Sequence, residues 1–292
     1  MLYDVTHRTT YRYSDPVSLA HNQAHLAPRT TINQTCMRSD LKIEPQPVVA
    51  DVWRDYFGNN VHYFTLEEPH LELTVTATSL VEVREPQAPA AATTPPWEAV
   101  RARLAAPTDA DTQDAAQFVF ESTYIRRTPE VHDYAIVSFP PGRTLLAGAL
   151  DLTQRIFQDF QYRPGVTSVH TSTTEVLAQR QGVCQDFAHV QISCLRSLGL
   201  AARYVSGYLL TDPPPGQPRL IGADASHAWV SVYCPGAGWL DFDPTNNQMP
   251  RLRHVTLAWG RDFADVSPVR GIFLGGGRHS VHVSVDVVPQ VR

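Results

Sequence analysis

The chain is poor in cysteine, with four in 292 residues: Cys36, Cys184, Cys194 and Cys234. They are too few and too scattered for a disulfide scaffold, and no CxxC pair occurs, which argues against a zinc knuckle. Long apolar runs are also missing. None nears the roughly 20 residues of a membrane-spanning helix. The opening residues, "MLYDVTHRTTYRYSD", have no basic stretch followed by an apolar one, so no secretory leader is read and the cytoplasm is the expected compartment. Nor is there an excess of basic residues. The formal net charge is −5, which gives no electrostatic reason to expect a nucleic-acid partner or an anionic membrane. No acidic DxDxDG loop is present, and Gly275-Gly276-Gly277 lack the strand-to-helix setting of a phosphate cradle. Neither a metal nor a nucleotide cofactor is expected, and oligomeric state is not legible.

What is present suits a globular chain of two domains: 43% hydrophobic and 18% charged residues over a length that can bury a sizeable core. "DVTHRTTYRY", "HYFTL" and "HLELTVTATSLVEVRE" alternate with period two, and Gly58-Asn59-Asn60 sits between strand-like flanks as a hairpin turn. These features predict an antiparallel β domain over residues 1–85. Residues 86–107, rich in Pro, Ala and Thr, read as a linker or surface crossing. A second domain is expected over 108–292. It begins with helices: one capped at Thr108, one following Leu145, Ala149, Leu152, Ile156 and Phe160, and one opened by the Ser172/Glu175 capping box. Strands follow in "AARYVSGYLL", "HAWVSVYC", "GWLDFDPT" and a closing "HSVHVSVDVV", with "PPPGQP" as an exposed loop. Helices first and strands after predict an α+β fold.

The helix in "RQGVCQDFAHVQISCLRSLGL" opens at Cys184 and is stopped by Gly199. At about 100° per residue, Phe187, Ala188, Val190, Ile192, Cys194, Leu195 and Leu198 share one side with Cys184. Gln185, Asp186, His189, Ser193 and Arg196 take the other, which reads as the more solvated face. A first-turn cysteine meets free backbone N–H groups and a partial positive charge, both of which favour thiolate. Cys36 and Cys194 read as packing residues.

A reactive thiol needs a base and something to orient that base. His227 starts one strand and Asp243 ends the next, just before Pro244, and a turn near Pro235–Gly238 brings them together if the strands pair antiparallel. His227 would take the thiol proton, Asp243 would set its tautomer, and the Cys184 backbone N–H would serve as an oxyanion donor. Asp241, on the same strand face, is a competing carboxylate. His189 and Asp186 read as facing away from the thiol. Asp262 and Asp265, with Arg261 and Arg270, read as structural ion pairs, and Trp229 and Trp239 as core.

"GVCQDFAH", "ARYVSGY", "HAWVSVY" and "GWLDFDPTN" together resemble the transglutaminase-like superfamily of papain-type cysteine enzymes, over about 145–247. "HRTTYRYSDPVSLAHNQAHLAPR" and "WGRDFADVSPVRG" resemble a bacterial branch in which a β domain precedes that core. The resemblance implies a papain-like α+β core, a Cys184–His227–Asp243 triad, and acyl transfer through a thioester on a peptide, protein or small amide. It implies no cofactor, since the calcium sites of animal members have no counterpart here. Upstream aromatics donate to the oxyanion in relatives, which makes Tyr162 a candidate. Arylamine acetyltransferases share the Cys-His-Asp order, but here about 180 residues precede the cysteine. Hydrolysis is favoured; transfer to an amine, or a binding module with a vestigial triad, stays open.

Overall fold

The computed structural model describes residues 1–211 and 225–290; the "PPPGQP" loop lies outside them. The mixed architecture expected from the sequence is found: antiparallel sheets, an N-terminal β region and a helical core packed on strands. Strand β1 (Leu2–Ala24) is the spine of the first sheet, with β2 (Gln34–Glu44), β3 (Val49–Arg54), β4 (Asn60–Leu66) and β5 (His70–Val83) arranged in the order β2-β5-β1-β4-β3. Pro16 and its neighbours break the run of β1, where Ser14, Asp15 and Pro16 are exposed. The first half of β1 then pairs with β5, and the second half pairs mainly with β4.

Helices α1 (Trp97–Ala105), α2 (Ala110–Ala116), α3 (Pro129–Ile136) and α4 (Leu145–Asp159) follow. Next come the short β6 (Gln161–Tyr162), α5 (Thr173–Gln179), β7 (Gln181–Gly182) and the central helix α6 (Cys184–Ser197). Strands β8 (Ala202–Leu209), β9 (Ala225–Cys234), β10 (Gly238–Phe242) and β11 (His254–Gly260) form a four-stranded antiparallel sheet in the order β10-β9-β8-β11. A short α7 (Phe263–Val266) leads to β12 (Val269–Gly275) and β13 (His279–Pro289).

The expected domain division is corrected in two places. Residues 269–289 do not complete the second domain; β12 and β13 both pair with β1, on the halves held from the other side by β4 and β5 respectively. Alternation marks a segment as a strand but not which edge it will join. Residues 86–107 are not simply a crossing, because α1 buries Trp97, Val100 and Leu104 in the main core. One local expectation also changes. Asp109, not Thr108, caps α2, accepting from the Thr112 N–H at 2.9 Å. Gly275–Gly277 form a packed turn: a Cβ on Gly275 would stand 2.4 Å from the Pro16 carbonyl.

The two sheets are joined through β11, an edge strand of the smaller one. An open edge is a liability, and here side-chain amides of the first sheet cover it. The Gln34 amide exchanges two 2.8 Å bonds with the Thr256 backbone, and Asn59 exchanges two 2.9 Å bonds with that of Trp259. Arg29 stacks on the Trp259 ring at 3.5 Å, with Arg203 on the same ring at 3.7 Å.

Helix α6 overturns the two-faced reading. Asp186, His189, Ser193 and Arg196 are all buried, because β8 and β9 cover one side of the helix while α3, α4 and α5 cover the other. Buried polar residues need partners, and each of these has at least one. Gln191 donates to Thr153 Oγ1 at 2.8 Å, and the Phe263 N–H donates to His189 Nε2 at 3.2 Å. Arg196, fully enclosed, donates to the carbonyls of Phe120, Ala202 and Arg261 and to the Ser122 hydroxyl. Burial pulls its guanidinium down to about 9, against the opposing charge of Asp262. Replacing Arg196 with methionine strands those carbonyls, so Arg196→Met is expected to cost at least about 3 kcal/mol in urea unfolding.

Candidate active site

Cys184 is half-buried at the first turn of α6. The turn before it is tightly built. The Asp186 carboxylate folds back to accept the Val183 N–H at 2.8 Å and the Thr167 hydroxyl at 2.7 Å. It passes so close to Gly182 that a Cβ there would lie 2.6 Å from Asp186 Oδ2. Gly182 is therefore required by close approach, and Asp186 caps the helix from beneath. Burial raises the Asp186 carboxyl, with the two hydrogen bonds opposing.

His227 lies on β9 opposite Gly207 of β8, and the β9–β10 hairpin has the expected register, with Phe242 facing Val230 and Gly238 facing Cys234. Asp243 follows one residue later. Directly opposed residues share a face, so His227, Trp229, Asp241 and Asp243 project to the same side. The carboxylates then divide diagonally. Trp229 Nε1 donates to Asp241 at 3.2 Å, and His227 Nε2 donates to Asp243 Oδ2 at 2.8 Å. Asp243, not Asp241, is thus the carboxylate on the histidine. The Cys184 thiol lies near enough to the same imidazole to help raise it. Cys184, His227 and Asp243, the three residues expected from the sequence, are thus placed at one site.

Asp243 is fully buried. Its Oδ1 accepts the N–H groups of Thr245 (3.0 Å) and Asn246 (3.2 Å), and its Oδ2 also accepts the Asn246 amide at 2.8 Å. Burial alone would raise its carboxyl, but hydrogen bonds led by His227 drive it far below the usual carboxylate range. Burial likewise works against a charged His227. Hydrogen bonds to Asp243 and Cys184 and the attraction of both partners prevail, and carry it up to about 10.

One member of this group was not legible in the sequence. His254 Nε2, from β11, donates to the same Asp243 Oδ2 at 3.0 Å. Its ring meets Trp229 edge-on with centroids 5.2 Å apart. The contact joins β11 to the end of β10, the two outer strands of the sheet, across the position of Gly207. A Cβ at Gly207 would meet the Val255 carbonyl at 2.2 Å and the Trp229 ring at 2.4 Å, so the missing side chain makes the room. A bulge between Thr256 and Ala258 lets His254 and Trp259, an odd number apart, lie on one face. Among the described residues, His227, Asp243 and His254 offer ligand atoms within 4.8 Å of one another. Both imidazole N–H groups are engaged by the carboxylate, however, and a metal there would have to displace them.

The remaining candidates fall as follows. β6 pairs in parallel with β7, aligning Tyr162 with Gly182. Tyr162 keeps about half of its surface exposed (53%), its ring lies edge-on to Phe187, and its phenol is raised by the burial of the remainder and by the nearby Cys184. His189 stacks on Tyr124, and burial takes it down to about 4. It is an enclosed ring beside Asp262, not a solvated one. Asp262 accepts the N–H groups of Tyr124 and Ala264, Arg261 pairs with Asp265, and Arg270 holds Gln23 and the Ala264 carbonyl; all four serve structure. Trp229 is fully buried, and Trp239 packs among Phe118, Tyr233 and Arg203. No helix among the described residues is long and apolar enough to cross a membrane.

Residues 3–82 match the bacterial transglutaminase-like N-terminal region, and residues 139–244 match the transglutaminase-like superfamily core. An uncharacterized protein of Mycobacterium tuberculosis is 46% identical over 295 residues, covering 98% of this chain and 92% of that one. A protein-glutamine gamma-glutamyltransferase of Pseudomonas aeruginosa is 32% identical over 92 residues, 31% of this chain and 14% of that protein. The crystal structure of a provisionally assigned cysteine protease from Cytophaga hutchinsonii superposes with a TM-score of 0.74 at 21% identity, covering 100% of this chain and 92% of that one. That last likeness is one of fold. With both family regions present in order, and a relative of 46% identity across nearly the whole chain, the protein belongs to the transglutaminase-like superfamily, in its bacterial branch.

Proposed function

We propose that this protein is a cysteine-dependent acyl-transfer enzyme that cleaves a peptide, isopeptide or amide bond through a thioester on Cys184. The carrying observation is the linked set of Cys184, His227 and Asp243 at the start of α6. In this reading His227 takes the thiol proton through the ring nitrogen not engaged by Asp243, and Sγ attacks the acyl carbonyl. The oxyanion is met by the Cys184 backbone N–H and the Tyr162 phenol. The imidazolium then protonates the departing amine. Water, activated by the same imidazole, releases the acid and restores the thiol. Four unpaired cysteines suit a reducing compartment, so the cytoplasm is its proposed location.

Hydrolysis is the first reading because water needs no subsite of its own, whereas an amine acceptor does. Transfer to an amine is the second, supported by the name of the Pseudomonas relative. The chain's single lysine, Lys42, also fits it, since an amine-consuming enzyme with one lysine offers little of itself for cross-linking.

The first test is the pH dependence of Cys184 alkylation by iodoacetamide, read by mass spectrometry. The depressed Asp243 carboxyl stays ionised across the working range, and the raised His227 stays charged up to about 10. Reactivity is therefore expected to plateau well below the roughly 8.5 of an ordinary thiol. In His227→Ala the curve should return to that value, and in Asp243→Asn it should move most of the way there. A wild-type curve like that of free cysteine would overturn the reading.

Product analysis on glutamine-containing peptides, with and without added amine, separates the two chemistries: free acid for hydrolysis, a new amide for transfer. Cys184→Ala should abolish both. With a substrate in hand, Tyr162→Phe is expected to lower kcat about tenfold or more with little change in KM. An unchanged kcat would remove Tyr162 from the mechanism.

A further inference from the structure

His254 has no part in the triad, yet it is enclosed in the same site and spends its Nε2–H on the same atom, Asp243 Oδ2, that holds His227. Its Nδ1 is buried without a hydrogen-bond partner, so the ring carries its proton on Nε2 and donates from there. Orienting Asp243 does not require it. The Thr245 and Asn246 N–H groups already grip Oδ1, and the Asn246 amide grips Oδ2. What His254 adds is competition, with three donors sharing one oxygen.

We propose that His254 is a positioning residue acting through Asp243: by sharing Oδ2 with His227, it limits how tightly the carboxylate holds the imidazolium and so keeps His227 able to pass its proton on. A charge-assisted bond strengthens as the acceptor loses other donors. An imidazolium held too firmly would form the ion pair with Cys184 readily but protonate the departing amine poorly. The groups facing His227 are Cys184 from α6, Asp243 beyond β10, Asn246 in the following turn and, through Asp243, His254 from β11. Asp241, the next carboxylate, accepts from Trp229. The sign follows: removing the His254 donor should raise the His227 titration, not lower it.

The consequence for turnover rests on the proposed acyl-transfer function, but the test reads His227 itself. The full chain, with labelled histidine, is titrated by NMR in a Cys184→Ala background, with and without His254→Phe. The phenylalanine keeps a flat ring against Trp229 and removes the donor. The His227 midpoint is expected to rise by at least about half a unit. His254→Gln, which can still donate, should return it most of the way. With Cys184 restored, the acid limb of the alkylation curve in His254→Phe should move to lower pH by a similar amount. An unchanged His227 midpoint, or one that falls, overturns the proposal, the latter outcome making His254 a simple orienter of Asp243. Should His254→Phe not fold by circular dichroism, His254→Met carries the same expectation. An unreactive Cys184 in the otherwise unaltered protein would defeat the proposed function, yet leave the His227 titration to decide on His254.

Discussion

A carboxylate with no access to water governs the geometry of this site. Removing Asp243 from solvent is costly unless its charge is met by well-placed donors, and five meet it: two backbone N–H groups, one amide and two imidazoles. The donors come from three separate stretches of structure. The turn after β10 supplies three, the start of β9 one and β11 one. The register of the hairpin, the bulge in β11 and the bare Gly207 are arranged so that those stretches converge on one group. The Cys184 thiol meets the outer end of this network, where α6 begins.

Helix α6 carries that thiol and is held by the same principle on a larger scale. It is enclosed on all sides, so its polar residues act as internal fasteners. Asp186 secures its first turn, Gln191 ties it to α4, and Arg196 gathers carbonyls from three separate segments. A helix fixed in this way cannot slide along the sheet, and the distance from Cys184 to His227 is set by structure far from either. The apolar residues supply the burial; the polar ones supply the register.

Much of this was legible in the sequence because it depends on local pattern. Period-two alternation found the strands, the Ser172–Glu175 box found α5, and the Asp-Pro step after β10 found the end of the hairpin. The first-turn cysteine, the strand-start histidine and the pre-proline aspartate could be paired because one hairpin joins two of them. What the sequence concealed is non-local. The buried polar side of α6 looks solvated until three helices are known to cover it. His254 lies on a strand whose inner alternation is broken by a bulge, and its partner is at the opposite edge of the sheet. Strands β12 and β13 alternate like any others; nothing in their residues says that they return to β1.

That return shapes how the molecule comes into being. Tyr3 and Pro289 are register partners, so β1 waits for a strand made only after the helices and the smaller sheet. Until residues 279–289 emerge, the first half of β1 has β5 along one edge and an open row of backbone groups along the other, with Tyr3 and Val5 lacking the cover of Val285 and Val287. A nascent edge of that kind invites pairing with another copy being made nearby. The helices and the smaller sheet lie between the two strands in the chain, so the first sheet gains β13 only once the residues of that core have been made. A chain that stalls before β13 stays open along that edge of β1.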